Sequence, residues 1–414
     1  MISFRSLLLD NGLRLIIHQD KSTPLVCVNL LYKTGAKHEN PKLTGMAHLF
    51  EHLMFSGSAN APNFDRILET AGGENNAFTN NDFTNYYEIL PADNLETALF
   101  LEADRMQHLN LNQKNIDIQK SVVIEEFKES YLNQPYGDID AIMRDMSFKK
   151  HPYKWSTIGK KIEHIENISQ KDLHEFYKTH YSPVNAILVI TGNIEIDYCC
   201  RLVDKYFGSI PSAPLAHINI PTEPEQHNMR QKLKMADVPQ DAILMGFHMP
   251  GRLSPDYYAA DLVSDTLANG RSSKFYSKLV RGKKLFSNLD AYIWGSIDPG
   301  LLIIQGFPAS NISLDDAEHH IWHILNELKQ NPPSYKELTK VKNKALSAWM
   351  FSNISIENKA LHLAYFEMLG DAGMINKEDA AIANVSRDVF HHTSQYILSK
   401  NNCSLLKYKA NYEK

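Results

Sequence analysis

Short apolar runs bounded by turn residues recur along the chain and predict β-strands. In the first half they lie at residues 12–18 and 25–32, and a counterpart lies at residues 241–247 in the second half. Longer segments with apolar residues at helical spacing separate them, as at residues 95–106. Short strands mixed with long helices predict an α+β fold.

The order of these elements is repeated once. Ser169 precedes a helical segment that leads into an apolar strand, and Ser386 precedes a similar segment about half a chain length later. In both places the serine is a predicted helix N-cap. We therefore predict two similar domains at residues 1–210 and 228–414, joined by a proline-rich linker at 211–227. The alternative is one continuous domain with a proline-rich surface loop, which leaves the repeat unexplained.

Composition narrows the class of protein. Lys and Arg number 43 against 48 Asp and Glu, a net charge of −5, so the basic surface that nucleic-acid binding needs is not expected. No apolar run approaches the ~18–20 residues of a membrane-spanning helix. The N-terminal residues lack the charged-then-apolar order of a signal peptide, and the four cysteines form no CxxC pair. These features predict a cytoplasmic protein; a periplasmic location would require an export signal ahead of this sequence.

One segment carries residues suited to catalysis. Residues 48–52 read HLFEH, and in a helix His48 and His52 lie one turn apart on the same face. Two imidazoles in this arrangement can bind Zn²⁺, and Glu51 lies beside them as a candidate general base. This is the inverted HxxEH order of zinc peptidases. A histidine pair on an exposed helix usually has no function. Here the flanking residues are apolar, which predicts a mostly buried helix, and buried polar groups need a metal ion or hydrogen-bond partners.

A catalytic zinc site needs a third protein ligand, which the spacing of the residues leaves open. The candidates lie in the helical segment 122–129. Glu126 is spaced to face inward with the apolar residues of that segment. Glu125 and Glu129 form an i,i+4 pair that is more typical of a solvated face.

These motifs together resemble the pitrilysin–insulinase family of zinc peptidases, and within it the short two-domain branch that includes mitochondrial processing peptidase. The resemblance covers nearly the whole chain. Besides HLFEH, it rests on residues 72–79 (GGENNAFT), 101–106 (LEADRM) and 119–126 (QKSVVIEE). It implies a clamshell half built of two similar domains, each with a mostly antiparallel sheet packed against helices. It also places the third zinc ligand at Glu126.

The resemblance further implies what the site does. Members of this family hydrolyse peptides or unfolded segments with metal-activated water inside a two-domain chamber. The substrate would add as a β-strand to the edge formed by Asn76, Ala77, Phe78 and Thr79, a mode that recognises the main chain more than the side chains. Arg281 in the second domain would also contact the substrate.

Three positions depart from the family pattern. Gln119 stands where relatives often have a glutamate, and Ser287 and Asn288 stand where active relatives have a tyrosine that follows the arginine. We therefore expect a dimer: a homodimer, or the zinc-bearing subunit of a heterodimer whose related subunit carries the Arg/Tyr pair. The alternatives are a catalytically silent structural subunit of the same fold and a peptide-binding subunit that uses the edge strand without cleavage, and metal content would separate the peptide-binding subunit from an enzyme.

Overall fold

The computed structural model describes residues 1–214 and 218–411, and its contacts divide the chain into two compact units. The first unit comprises Met1–Glu129, Trp155–Pro221 and Met350–Lys377. The second comprises Ser130–Lys154, Thr222–Trp349 and Glu378–Lys414. Each unit is built around one β-sheet.

The sheet of the first unit has six strands. They are β1 (Arg5–Leu8), β2 (Arg14–Gln19), β3 (Leu25–Tyr32), β4 (Glu74–Thr79), β5 (Thr84–Pro91) and β6 (Ala186–Gly192). Their order across the sheet is β1-β2-β6-β3-β5-β4. All neighbouring pairs are antiparallel except β2 and β6. The central strand β3 is buried along almost its whole length, because helices cover both faces of the sheet.

The sheet of the second unit has five strands. They are β7 (Arg230–Ala236), β8 (Ala242–Met249), β9 (Phe286–Trp294), β10 (Gly300–Pro308) and β11 (Cys403–Ala410). Their order is β7-β11-β8-β10-β9, and only β7 and β11 run parallel. The order repeats that of the first sheet without its outer strand β1. The predicted α+β fold with two similar, mostly antiparallel sheets is confirmed.

Helices pack on both sheets. Among the described residues they are α1 (Met46–Leu53), α2 (Phe64–Thr70), α3 (Leu95–His108), α4 (Gln113–Phe127), α5 (Ile139–Ser147), α6 (Ile162–Glu166), α7 (Gln170–His180), α8 (Ile196–Phe207), α9 (Tyr257–Ala268), α10 (Leu314–Gln330), α11 (Tyr335–Ser352), α12 (Ile356–Met368), α13 (Glu378–Ala383) and α14 (Arg387–Ile397). None of these described helices is both long enough and apolar enough to cross a bilayer.

The repeated sequence pattern produces equivalent elements in the two units. The Ser169 side chain accepts a hydrogen bond from the backbone N–H of Asp172 and caps α7, which leads into β6. The Ser386 side chain caps α14 in the same way through Val389 N–H, and α14 leads into β11. Both strands occupy the same place in the order of their sheets, so the prediction of an internal repeat is confirmed.

Helix α12 lies late in the chain but belongs to the first unit. It packs on β3 and β6, and its Leu363 and Phe366 are buried there. Lys359 forms an ion pair of 2.5 Å with Asp20, and the Thr191 hydroxyl donates to the Ile356 carbonyl at 2.7 Å. The first half of the chain leaves one apolar face of its sheet uncovered, and α12 from the second half covers that face.

Helix α5 makes the reverse exchange. It lies in the first half of the chain, yet Met143 and Met146 pack in one cluster with Leu244 and Leu406 of the second sheet. The predicted boundaries at 210 and 228 therefore miss two exchanged segments, because contacts between distant parts of the chain leave no local pattern. Of the predicted linker, residues 211–214 and 218–227 contain no helix or strand, and residues 215–217 lie outside the described part of the chain.

A buried ionic cluster fixes α3 on β5. The guanidinium of Arg105 contacts Glu102 and lies 3.2 Å from a carboxylate oxygen of Glu88, and all three residues are fully buried. The same guanidinium lies 4.6 Å from the ring centres of Phe64 and Tyr86. Burial, together with the neighbouring Glu102 carboxylate, raises the pKa of Glu88. The cluster holds the helix-facing side of β5 in place beside α1.

Candidate active site

The HLFEH segment forms α1 as predicted, and its apolar residues decide which face is buried. Phe50 is fully buried and stacks on the rings of Phe176 and Tyr181, with centroid distances of 5.2 and 5.0 Å. His48, Glu51 and His52 consequently lie together on the less buried face. The helix begins after Gly45, which has φ of +94°, a left-handed value that favours glycine.

A buried carboxylate holds the start of α1. Glu39 accepts hydrogen bonds from the backbone N–H groups of Gly45 and Ala47, each at 2.9 Å. These are N–H groups that the helix itself cannot satisfy. Burial raises the pKa of Glu39 to about 8, against the lowering effect of these two hydrogen bonds.

Three potential metal ligands converge beside this helix. Nε2 of His48 lies 3.8 Å and Nε2 of His52 lies 3.5 Å from Oε2 of Glu126, which α4 supplies. Within residues 1–214 and 218–411, this is the one group of three His, Cys, Asp or Glu side chains whose donor atoms all lie within 4.8 Å of one another. Tetrahedral Zn²⁺ with bonds of 2.0–2.2 Å places its ligand atoms roughly 3.3 Å apart. The donor set therefore fits a zinc ion.

The other two candidates for the third ligand lie elsewhere. Glu125 is exposed and forms an ion pair of 2.7 Å with Lys128. Glu129 is exposed in the π-helical turn Lys128–Leu132 that follows α4. The structure thus brings Glu126 to the histidines and leaves Glu125 and Glu129 out of that group.

The electrostatics of α1 favour a neutral His48. Burial, together with the neighbouring His52, lowers the pKa of His48 to about 4. A neutral imidazole offers the lone pair that a metal ion requires. Nε2 of His48 is the ring nitrogen that faces Glu126. Its Nδ1 is buried and has no hydrogen-bond partner among the described residues.

Glu51 lies beside the histidines, with one oxygen engaged. Its Oε2 accepts a hydrogen bond of 2.6 Å from the hydroxyl of Thr79. Burial raises the pKa of Glu51, whereas the Thr79 hydrogen bond and the nearby His52 lower it. A carboxylate with a raised pKa takes up a proton more readily, which suits a group that must accept a proton and later give it back.

Asn76, Ala77, Phe78 and Thr79 lie in β4, the outermost strand of the first sheet. Each pairs with β5 on one side only, as Asn76 does with Tyr87. The Ala77 N–H donates at 2.8 Å to the Asn76 side chain. Strand β4 packs next to α1, and the addition of a substrate strand to its free edge stays a prediction.

The remaining predicted positions belong to other elements. Gln119 is half-buried on α4, two turns before Glu126. Arg281 belongs to the second unit, where it is exposed after the π-helical turn Tyr276–Val280. Ser287 and Asn288 occupy exposed positions on β9. The contact of Arg281 with a substrate stays a prediction.

Sequence reasoning missed two contacts that shape the site. The capping of α1 by Glu39 has no local signal, because this residue lies six positions before Gly45 in an irregular segment. The sequence indicates Thr79 only as one residue of the predicted edge strand. Its hydroxyl contact with Glu51 joins residues 28 positions apart and follows from the packing of β4 on α1.

Comparison with known proteins reveals clear relatives of this chain. Residues 14–160 match the family model described as Insulinase (Peptidase family M16), and residues 167–345 match the model described as Peptidase M16 inactive domain. The first match contains His48, Glu51, His52 and Glu126, and the inactive-domain match begins after them.

Individual relatives agree with these matches. The zinc protease PqqE of Helicobacter pylori is 30% identical over 343 residues, which are 81% of this chain and 77% of that protein. The mitochondrial-processing peptidase subunit beta of Caenorhabditis elegans is 28% identical over 204 residues, 49% of this chain and 44% of that protein. The crystal structure of a protease from Helicobacter pylori has a TM-score of 0.92 at 27% identity, covering 99% of this chain and 100% of that chain.

Proposed function

Because this chain belongs to the insulinase (M16) family of peptidases, we propose that it is a zinc-dependent peptidase that hydrolyses peptides or unfolded protein segments. The observation that carries the proposal is the convergence of His48, His52 and Glu126. Glu51 lies next to the two histidines on α1. Relatives named zinc proteases support the choice of metal.

His48, His52 and Glu126 would hold the zinc ion. Two imidazoles and one carboxylate are a typical donor set for catalytic zinc, which leaves a position open for water or substrate. Bound there, zinc would polarise the scissile carbonyl group and lower the pKa of water toward ~7.

Glu51 is the proposed general base. Its carboxylate takes one proton from the attacking water as the new C–O bond forms at the scissile carbonyl carbon. It then gives that proton to the amide nitrogen as the C–N bond breaks, so that the amine leaves neutral. The main chain of Asn76, Ala77, Phe78 and Thr79 would hold the peptide extended along β4 during this exchange.

We also propose that the protein acts as a dimer in the cytoplasm. Arg281 would contact the substrate, and the resemblance places Ser287 and Asn288 where active relatives have a tyrosine after the arginine. The partner is then a related subunit that carries the Arg/Tyr pair, and the alternative is a homodimer that works without this tyrosine. The mass of the assembly in solution, measured by light scattering, separates a dimer from a monomer.

The second candidate function is a catalytically silent structural or peptide-binding subunit. The amide of Gln119 and the polar residues at 287 and 288 favour it, because each replaces a group that assists catalysis in active relatives. The complete set of His48, Glu51, His52 and Glu126 weighs against it, since a structural subunit needs none of the four.

Metal content and peptide cleavage test the proposal together. The purified chain is analysed for bound metal, and cleavage of a quenched fluorescent peptide library is followed before chelation, after chelation and after zinc is restored. Stoichiometric zinc with chelator-sensitive, zinc-restored cleavage supports a peptidase. Zinc without cleavage favours the silent subunit or a missing partner, and a chain that binds no zinc refutes the proposal.

A further inference from the structure

The hydroxyl group of Thr79 has one proton and two acceptors within reach. Oε2 of Glu51 lies at 2.6 Å, and Oγ1 of the cross-strand neighbour Thr84 lies at 3.3 Å. Thr84 gives its own proton to the Thr34 carbonyl at 2.9 Å, so it cannot donate to Thr79. A short hydrogen bond to a carboxylate is stronger than a long one to a neutral hydroxyl, and the proton of Thr79 is therefore committed to Glu51.

The backbone that carries Thr79 is held firmly. The turn after it is closed by the Asn80 side chain, which accepts from the N–H groups of Asp82 at 2.7 Å and Phe83 at 2.9 Å. The Asn80 carbonyl in turn accepts from the N–H of Ala36 at 3.0 Å. A Cβ atom at Gly35 would lie 2.4 Å from that carbonyl, so the turn and the Gly35 backbone are in direct contact. Thr79 consequently presents its hydroxyl from a fixed point.

Glu51 is the more mobile member of the pair. Its side chain is long and half-buried on α1, and without a partner its carboxylate could occupy several rotamers. The Thr79 hydroxyl engages Oε2, and the backbone N–H of Thr79 also faces this carboxylate. A general base is efficient only when it lies within hydrogen-bond reach of the proton it removes.

We propose that Thr79 is a positioning residue, whose hydroxyl group holds the carboxylate of Glu51 in the orientation from which it accepts the proton of the attacking water. This rests on the peptidase function proposed above. It gives the Thr79 side chain a task other than contact with the substrate, while its main chain remains part of the β4 edge.

Two substitutions at this position separate the hydroxyl from the shape of the side chain. Thr79→Val keeps the size, the branching and the strand preference but removes the hydrogen bond, whereas Thr79→Ser keeps the hydroxyl. Thr70→Val removes an exposed threonine hydroxyl on α2 and is the matched control. We expect Thr79→Val to lower kcat by about tenfold or more with KM within about twofold, because a misplaced catalytic group costs rate rather than affinity. Thr79→Ser and Thr70→Val should stay within about threefold of the wild-type kcat.

Two readouts do not depend on turnover. Zinc content should be the same in all four proteins, and crystal structures of the zinc-loaded forms should show the Glu51 carboxylate displaced in Thr79→Val but in place in Thr79→Ser. Loss of zinc in Thr79→Val, an unchanged kcat in that variant, or an unmoved Glu51 carboxylate would each overturn the inference. If the wild-type protein binds zinc but cleaves nothing, the proposed function fails by itself, and the position of Glu51 in the two crystal structures still decides whether Thr79 holds it.

Discussion

Replacing Glu39 by alanine tests whether this buried carboxylate holds the start of the zinc-site helix. Glu39 accepts the N–H groups of Gly45 and Ala47 at 2.9 Å, and alanine would leave both without a partner in a buried place. The start of α1 should then open more often. The exchange of its amide hydrogens with solvent measures that opening directly.

The magnitude follows from the two hydrogen bonds and the burial that opposes them. Leaving a buried N–H group without its acceptor costs about 1–3 kcal/mol, so two such groups would cost about 2–6 kcal/mol. Burial raises the pKa of Glu39 to about 8, so the site favours the uncharged carboxyl and the lower part of this range applies. A net loss of about 3 kcal/mol corresponds to amide exchange about a hundredfold faster in α1.

Hydrogen exchange read by mass spectrometry on peptides covering residues 43–55 is the assay. Glu39→Gln keeps one acceptor oxygen but turns an N–H toward the other amide, so its exchange should be intermediate. Glu69→Ala removes an exposed glutamate from α2 and serves as the control, with no expected change in α1. If exchange in Glu39→Ala stays within threefold of the wild type, Glu39 does not hold the helix and the reasoning is refuted.

Other substitutions test the site and the second unit. Glu51→Gln should keep stoichiometric zinc and lose about 10²–10⁴-fold in kcat, since it removes the base but no ligand; substantial cleavage by the zinc-loaded variant would reject that role. Glu126→Ala should lose zinc under dialysis conditions in which Glu125→Ala keeps it, and equal zinc content in both would move the third ligand elsewhere. Burial and the neighbouring Asp265 raise the pKa of Asp261 from 3.8 to about 7. The folded protein then keeps a proton that the unfolded chain loses, so stability falls as the pH rises between these two values. Thermal unfolding should show a smaller decrease from pH 5 to pH 8 in Asp261→Asn than in the wild type, and parallel curves would contradict this.

Local patterns were sufficient to predict most elements and the metal-binding group. The apolar run at 25–32 became β3 with the same bounds, because a strand buried on both faces is apolar at nearly every position. HLFEH became a helix because its apolar residues recur at helical spacing. Glu126 reached the histidines because the segment at 113–127 is helical, which turns this residue and Glu125 to different sides.

Contacts between distant segments could not be predicted in this way. Helix α5 has an ordinary amphipathic pattern, whereas the apolar residues of α12 are spread around the helix, and neither pattern states which sheet the helix will cover. The hydrogen bonds of Glu39 and Thr79 depend on how a loop and a strand edge lie against α1. These contacts set the orientation of the site, whereas the local pattern sets only which residues are available to it.

The late position of α12 has a consequence for how this protein is made. The chain emerges from the ribosome with its N-terminus first. The first unit is complete up to Pro221 except for one late segment, Met350–Lys377, which contains α12. At about 5–20 residues per second, translation from Pro221 to Lys377 takes roughly 8–30 s. During that interval the nascent first sheet exposes the apolar face on which Leu363 and Phe366 will later pack. The newborn chain is therefore a candidate client for a ribosome-associated chaperone, and a messenger truncated before α12 would yield a product prone to aggregation.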